Sequence, residues 1–314
     1  MLVNLVPEFL ATLAAPDPSA AYHEYLDRHR PVLSAYWQNY VLDPESPHAE
    51  PIIATALRAD RADLKRLLED VDVVAVAEDA LRRATEMLEA DCPVDLYVMV
   101  GVGAANAGEL VVGGRGIAFV CLEHFTGRAN AQTYGMGLAP ELLPLWIAHE
   151  VAHALRYTAP SSRAAMRRLV GELGGYYDGW EIGSRATLRE LVVNEGAAIA
   201  ASQAVAPGFD AWEYFGYNRR QYRRLRELDA FLRRASVTDL DSTGLGLRLR
   251  YLSGGMSPAA RLLAGKVLPE RSGYYLGLRL VENYVAEHGA ASTVRAAVEE
   301  LRQADDRASG IQTA

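Results

Sequence analysis

Residues 139–157 read APELLPLWIAHEVAHALRY, a segment that combines a helical pattern with a pair of histidines. Its apolar side chains recur at the three- and four-residue spacing of an α-helix that buries one face. They are Ile147, Val151, Ala154 and Leu155. Pro160 follows and ends the pattern, because proline cannot continue a helix interior. We therefore predict a helix with one core-facing stripe.

The other face of this predicted helix carries an HExxH motif formed by His149, Glu150 and His153. Four residues of α-helix advance by about 400° and 6 Å, so both imidazoles can reach the same ion. Neutral imidazole is a good zinc ligand, and a catalytic zinc typically takes three protein ligands. Glu150 is then placed as the general base for a water whose pKa the metal lowers to about 7. Arg156 and Ala159 stand where a metzincin has Gly and a third His, which excludes that class.

The third ligand must then be an acidic residue farther along the chain. The candidates are Glu172, Asp178, Glu181, Glu190 and Glu195. Thr187 and Glu190 have capping-box spacing, which gives Glu190 a structural role. Glu195 lies farther inside the same predicted helix, where a carboxylate among apolar residues is costly to bury without compensation. A metal would compensate it, and Gly196 would allow two helices to pack closely around the ion. We expect Glu195 to be the ligand, with Asp178 in a glycine-rich loop as the reserve.

The rest of the chain predicts a mostly helical α+β fold with three regions. Helical periodicity runs through residues 1–92, and the apolar N-terminal segment is expected to be a short amphipathic helix. Three runs rich in β-branched and aromatic residues then predict a small antiparallel meander: residues 96–102, 109–112 and 116–122. With the HExxH helix they form a metal-binding core over residues 93–205. Helical periodicity returns in residues 206–314, a lobe that we expect to complete the active site.

Composition narrows the class of protein further. The 314 residues include 32 Lys and Arg against 40 Asp and Glu, a net charge of -8, so we expect no binding to nucleic acid. Cys92 and Cys121 lack metal or redox spacing and fit a reducing compartment. We find neither the basic region of a signal peptide nor an uncharged apolar run of about 18 residues. We therefore expect a cytoplasmic protein that does not enter a membrane, of undetermined oligomeric state.

Residues 212–234 are a local exception, because they interleave aromatic residues with seven arginines. Surfaces that bind single-stranded nucleic acid have this composition, but so does the solvated face of an ordinary helix. Glu213, Glu227 and Asp229 dilute the positive charge. We interpret the segment as a solvated helix, with an anionic substrate group or a partner protein as alternatives.

HEVAHAL at residues 149–155, followed by NEGAA at residues 194–198, resembles the gluzincin metallopeptidases. Their third zinc ligand is a Glu on the helix that follows the HExxH helix. The nearest resemblance is to a bacterial family of predicted zinc-dependent proteases, in which EG-x-A and a late GY-x-x-G-x-x-[IL]-V segment follow HExxH. The late segment is GYYLGLRLV here, at residues 273–281. The resemblance covers roughly residues 93–288.

This resemblance implies a zincin-like fold, with a sheet above the HExxH helix and an edge strand that pairs with an extended substrate. We expect residues 116–125 to supply that strand. It also implies a Tyr or His from the C-terminal half that stabilises the oxyanion; Tyr274 matches the motif, and Tyr275 is the alternate. Many gluzincins have an acidic residue four positions after the ligand Glu. This chain has Ile199 there, so another residue must orient the ligand.

Together these features predict a zinc metallopeptidase that cleaves a peptide or amide bond. His149, His153 and Glu195 would hold Zn²⁺, Glu150 would move the proton, and Tyr274 would assist at the oxyanion. Two alternatives stay open. The same site could hydrolyse a non-peptide small molecule in a biosynthetic pathway, or the chain could be a non-catalytic binding protein on a zincin scaffold.

Overall fold

The computed structural model describes residues 1–308 and has an α+β fold that is mostly helical. The chain begins with a short strand, β1 (Leu2–Asn4), where an amphipathic helix was predicted; the helix starts only at Val6. Helices then follow one another up to the main sheet. They are α1 (Val6–Leu13), α2 (Pro18–Arg28), α3 (Arg30–Tyr36), α4 (Ala49–Arg58), α5 (Ala62–Asp70) and α6 (Val73–Met87). A π-helical turn, Trp37–Val41, extends α3.

The main sheet contains β1, β2 (Val94–Met99), β3 (Ala107–Val112) and β4 (Arg115–Cys121), in the order β1-β2-β4-β3. β1 pairs parallel with β2, and β2 pairs parallel with β4, whereas β3 and β4 are antiparallel. The strands lie close to their predicted positions, but the predicted antiparallel-dominated meander is wrong. β4 lies between β2 and β3 and is buried along almost its whole length, as interior strands are. Because β1 belongs to this sheet, the N-terminal region shares a hydrophobic core with the rest of the chain.

Helix α7 (Leu143–Thr158) is the predicted HExxH helix. A two-stranded ribbon, β5 (Ala129–Asn130) and β6 (Gly135–Met136), and a 3-10 turn at Pro140–Leu142 connect it to the sheet. α7 packs across β3 and β4. Gly116 on β4 permits this contact, since a Cβ there would lie 2.8 Å from Thr158 Oγ1 and 3.2 Å from Ala154 Cβ. The sheet therefore lies directly against α7.

Helices dominate the described chain after α7, together with a short ribbon formed by β7 (Leu262–Leu263) and β8 (Lys266–Val267). The helices are α8 (Ala165–Glu172), α9 (Gly179–Arg185), α10 (Leu188–Val205), α11 (Arg219–Glu227), α12 (Asp229–Leu240), α13 (Leu245–Leu252), α14 (Ser272–Arg295) and α15 (Val298–Ala308). α14 is broken at Gly289, whose φ of 77° is not helical. Within residues 1–308, no helix has both the length and the apolar character needed to cross a membrane.

Helices α10 and α14 cross at a pair of glycines. Gly196 of α10 meets Gly277 of α14, and a Cβ on Gly277 would lie only 1.7 Å from Val192 O. Gly273, one turn earlier on α14, is also tightly packed, because its Cβ would lie 3.0 Å from Tyr251 O and 3.1 Å from Val192 Cγ1. The two backbones touch at this crossing, since no side chain fits between them. The close packing predicted at Gly196 is therefore present, and α14 is the partner helix.

Candidate metal centre

Helix α7 presents His149 and His153 one turn apart, and α10 brings Glu195 next to both. The two Nε2 atoms lie 3.1 Å apart. Glu195 Oε2 lies 3.4 Å from His149 Nε2 and 3.5 Å from His153 Nε2. Both histidines are buried, whereas the Glu195 side chain is 14% exposed. The structure thus brings the three predicted ligands together around one small volume, which we call the ligand cluster.

The spacing within the ligand cluster suits a tetrahedral zinc ion. Ligand atoms about 2.0–2.2 Å from zinc and at tetrahedral angles to one another are separated by roughly 3.3–3.6 Å. The separations of 3.1, 3.4 and 3.5 Å lie close to that range without rearrangement. Two imidazoles and one carboxylate are also a donor set that catalytic zinc sites use. The residues present therefore fit the ion that the motif predicts.

Comparison with known proteins adds no further information to this geometry. No family model, curated protein or solved structure matches the chain. The chemistry of the ligand cluster therefore depends on its donor atoms, their burial and their neighbours.

Electrostatic interactions couple the three groups of the cluster. Burial lowers the pKa of His149 below its usual value. Burial also opposes the charged form of His153, but the charges of Glu195 and Glu109 outweigh it and raise the pKa of His153 to about 10. For Glu195, burial raises the pKa, yet the charge of His153 and hydrogen bonds from both histidines hold it well below its usual range. His153 therefore holds a proton beside the ionised Glu195. A metal ion would displace this proton when it binds the two side chains.

Glu150 lies beside the ligand cluster on the same helix. It is buried, and ligand atoms of Glu150, His153 and Glu109 all lie within 4.8 Å of one another. Burial raises the pKa of Glu150 well above its usual value, and the Glu109 carboxylate adds to the rise. A cation in the cluster acts in the opposite direction, because positive charge favours the ionised carboxylate that a general base requires. The structure therefore places Glu150 where the motif predicts it.

No motif pointed to Glu109, a buried carboxylate on β3 that reaches the same site. Tyr157 OH donates a hydrogen bond to its Oε1, and Tyr40 OH donates to its Oε2, each at 3.0 Å. Asn194 Nδ2, beside Glu195 on α10, donates to Tyr157 OH at 2.8 Å. These bonds connect the strand, the HExxH helix and the ligand-bearing helix. One feature of the sequence could have indicated Glu109: it is an acidic residue in an otherwise apolar strand. A carboxylate that is buried there needs hydrogen-bond partners.

Three of the other acidic candidates have structural roles at the surface. Asp178 caps α9, because its carboxylate accepts hydrogen bonds from two backbone N–H groups at 2.9 Å. Glu172 forms ion pairs with Arg168 and Arg185, and the partly exposed Glu181 also approaches Arg185. Among the described residues, these three carboxylates form hydrogen bonds or ion pairs with groups outside the ligand cluster. Asp178 is therefore not needed as a reserve ligand.

Glu190 has a structural role, but a different one from the predicted capping box. Thr187 does cap α10, since its Oγ1 accepts from the Glu190 N–H at 3.2 Å. The Glu190 carboxylate, however, does not reach back to Thr187. Its Oε1 instead accepts a hydrogen bond from the buried Arg156 guanidinium of α7 at 2.9 Å. A buried cation 34 residues away thus determines where this side chain points.

Tyr274 and Tyr275 leave the first turn of α14 in different directions. The Tyr274 ring lies nearly parallel to the His149 imidazole, with 12° between the planes and 6.4 Å between the centroids. Burial raises the pKa of the Tyr274 phenol above its usual value, and the charge of Glu195 adds to this effect. The hydroxyl therefore stays protonated at neutral pH and can donate a hydrogen bond. Tyr275 packs instead against Phe215, so Tyr274 is the residue brought to the cluster.

Aromatic packing orients the two histidine rings. The His149 ring lies 5.6 Å from the Trp146 ring and 6.4 Å from the Tyr274 ring. The His153 ring stacks on Tyr157 at 6.0 Å. Neither Nδ1 atom has a hydrogen-bond partner among residues 1–308. Within residues 1–308, aromatic neighbours rather than hydrogen bonds to Nδ1 thus hold the two rings in place.

The strand that was predicted to bind an extended substrate is not an edge strand. Residues 116–125 overlap β4, which has β2 on one side and β3 on the other. β3 is at the edge, but its outer side is covered. The Tyr40 hydroxyl accepts from the Glu109 N–H at 3.1 Å and lies 3.0 Å from the Glu109 carbonyl oxygen, while the Tyr177 N–H donates to Val111 O at 2.9 Å. A substrate strand could add there only by displacing these contacts.

The arginine-rich segment, residues 212–234, forms a 3-10 turn followed by α11 and the first half of α12. A broad groove of about 870 Å³ lies on this surface and is lined by Trp212 and Tyr222, among others. Several of its arginines form ion pairs: Arg219 with Asp210, Arg223 and Arg224 with Glu227, and Arg233 with Asp305. Such local pairing is typical of a solvated helix face.

Proposed function

We propose that this chain is a zinc-dependent hydrolase of the gluzincin type that cleaves a peptide or amide bond. The observation that carries the proposal is the convergence of His149, His153 and Glu195 at distances that suit zinc. Glu150 lies beside this cluster, and Tyr274 faces it. A metal site, an acid–base group and a hydrogen-bond donor for the oxyanion are the parts that amide hydrolysis requires.

Each residue has a distinct role in the proposed reaction. Zinc, when bound, supplies a Lewis acid that polarises the scissile carbonyl and lowers the pKa of water. Glu150 accepts a proton from the attacking water and later passes it to the leaving amine. The Tyr274 hydroxyl hydrogen-bonds the carbonyl oxygen as negative charge develops on it. Glu109 is a positioning residue, since it binds Tyr157 beside the His153 ring.

The test compares zinc content with turnover. Zinc-loaded wild type is incubated with peptide libraries of several lengths, and cleavage is followed by mass spectrometry. Glu150→Gln is expected to retain zinc and to lose turnover by about 100-fold or more, because proton transfer fails. Glu141→Gln is the matched control, since Glu141 is an exposed carboxylate just before α7. This control is expected to retain both zinc and turnover.

Metal analysis tests the ligands independently of any substrate. His149→Ala and Glu195→Ala are each expected to bind much less zinc than wild type, as measured by elemental analysis after dialysis. Wild-type turnover in zinc-loaded Glu150→Gln would contradict the mechanism. Full zinc content in both ligand variants would contradict the site itself.

A second candidate is the hydrolysis of a small non-peptide molecule by the same groups. The covered outer side of β3 favours it, because a polypeptide loses the strand pairing that would hold it across the site. The burial of both histidine ligands also suits a small substrate. Short N-acylated amino acids, amides and esters should be assayed beside peptides of increasing length. A kcat/KM that falls as the peptide grows longer would favour the small substrate over the polypeptide.

A further inference from the structure

Arg271 is a cation near the ligand cluster that no motif indicated. It directly precedes α14 and adopts a left-handed φ of 56°, which is uncommon for a residue other than glycine. Its carbonyl oxygen accepts a hydrogen bond from Tyr217 OH at 2.6 Å. Its guanidinium carbon lies 4.3 Å from the centre of the Tyr274 ring. Backbone and side chain are thus both held by aromatic neighbours.

The guanidinium of Arg271 has no acidic partner within the described part of the chain. No carboxylate oxygen of residues 1–308 lies within 4.0 Å of it, whereas Arg261 on the preceding segment approaches Glu270. The Arg271 side chain is only partly exposed. The charge of Glu195 acts on the guanidinium only from beyond that distance. A guanidinium that is held in place, partly removed from water and without a directly paired carboxylate favours an anionic ligand, and its planar fork suits a carboxylate.

A row of side chains connects this cation to the ligand cluster. The His149 ring, the Tyr274 ring and the Arg271 guanidinium follow one another at 6.4 Å and 4.3 Å. Gly216 borders the same region, because a Cβ there would lie 3.0 Å from the Trp146 ring and 3.3 Å from Arg271 Nη1. The buried indole N–H of Trp146 has no hydrogen-bond partner among residues 1–308. A cation and an unpaired donor therefore lie side by side near His149.

The side chains and backbone around Arg271 are more exposed than the histidines of the ligand cluster. His149 and His153 are buried, whereas Tyr274, Gly216 and Arg271 are partly exposed. A ligand that reaches the cluster from solvent along Tyr274 thus passes the guanidinium. Its charge would act on the ligand before the reacting group arrives.

We propose that Arg271 binds a carboxylate of the substrate, within about three residues of the scissile bond, and so determines specificity for anionic substrates. The inference rests on the proposed function, because it assumes that the scissile carbonyl lies at the ligand cluster. The two steps along the row, 6.4 Å and 4.3 Å, correspond to up to about three residues of an extended chain, which rises about 3.3–3.6 Å per residue. The carboxylate is either the free C-terminus of a short peptide or the side chain of an acidic residue.

Binding without turnover tests this role. Zinc-loaded Glu150→Gln is titrated in a calorimeter with three N-acetylated tripeptides: Phe-Ala-Phe as the free acid, Phe-Ala-Phe amide and Phe-Ala-Glu amide. The free acid, the Glu peptide or both are expected to bind about tenfold or more tightly than the neutral amide, as for a charge-assisted hydrogen bond. Which of the two binds tightly identifies the source of the carboxylate.

Substitutions added to the Glu150→Gln protein then test the role of Arg271. Arg271→Met is expected to reduce the preference to less than about twofold, and Arg271→Lys to retain part of it. Arg220→Met removes an exposed arginine of α11 and is expected to retain the full preference. Circular dichroism and zinc content report folding, and Arg271→Gln replaces the Met variant if that variant does not fold.

Equal binding of the three peptides, binding of none, or an unchanged preference in the Arg271 variants would overturn the inference. The proposed function is tested separately, by measuring whether zinc-loaded wild type hydrolyses peptides or amides. A carboxylate preference that depends on Arg271, without cleavage of any peptide or amide, would retain the binding role and reject the hydrolase.

Discussion

Gly277→Ala is expected to push α14 away from α10 and to disturb the ligand cluster. The added Cβ would lie 1.7 Å from Val192 O and 3.0 Å from Gly196 N. Ordinary contact needs about 3.5 Å, so the two backbones must separate by roughly 1.5 Å or more at the crossing. Glu195 directly precedes Gly196, and Tyr274 lies one turn before Gly277. Both side chains would therefore move with the helices that carry them.

Two effects of opposite sign set the change in the free energy of unfolding of Gly277→Ala. Alanine is favoured over glycine inside a helix by about 1 kcal/mol. An extra methyl group in a well-packed contact typically costs about 1–3 kcal/mol, and sometimes more. The atom met first is the carbonyl oxygen of Val192 in a helix backbone, which cannot swing away as a side chain can. We therefore expect a net destabilisation of about 2 kcal/mol or more.

Urea denaturation followed by circular dichroism measures this change, with Gly171→Ala as the matched control. Gly171 is exposed on α8, and a Cβ there would meet nothing within 4 Å. The same substitution should therefore raise stability there by up to about 1 kcal/mol. Zinc content after dialysis should fall in Gly277→Ala and stay unchanged in Gly171→Ala. A Gly277→Ala protein as stable as wild type, with full zinc content, would refute the reasoning.

Two further predictions concern ion pairs away from the reacting groups. Glu190→Gln should destabilise the protein by about 3 kcal/mol or more in urea melts, because the buried Arg156 guanidinium loses its counter-charge; wild-type stability would contradict this. Burial raises the pKa of Asp95, but hydrogen bonds from Arg115 and from the amino group of Met1 outweigh it and hold the pKa below its usual value. The stabilisation is then present above about pH 4 and lost as the pH falls through the lower folded-state value. Asp95→Asn should therefore be less stable than wild type at neutral pH and similar to it in strong acid, and a constant difference across pH would refute the assignment.

Local features of the fold could be predicted because they depend on short-range patterns. The helix expected at residues 139–157 runs from Leu143 to Thr158, and β2, β3 and β4 lie close to the expected strands. The strand order could not be predicted from such patterns. The parallel pairing of Leu2 with Leu96 joins distant parts of the chain, and a three-residue strand carries no periodicity. The unbroken apolar run GIAFVC is typical of a strand in the interior of a sheet. The predicted meander instead placed this strand, β4, at the edge.

Contacts between polar side chains that are distant in the sequence could not be predicted either. The grouping of His149, His153 and Glu195 could be predicted because HExxH and a Glu among apolar residues of a later helix can both be recognised in the local sequence. Glu190 was given a capping partner three residues away, but its carboxylate binds Arg156 instead. The contacts of Glu109, and the lack of a paired carboxylate at Arg271 within residues 1–308, appear only in the folded chain. Neither property is encoded in a local motif.

The covered edge of the sheet also affects how molecules of this protein meet one another. A strand with free N–H and C=O groups is a template for pairing with another chain, and so for aggregation. Tyr40 and Tyr177 occupy those groups on β3, and the opposite edge strand, β1, has only three residues. The side chain and backbone group that cover this edge thus also keep the sheet from growing into a neighbouring molecule.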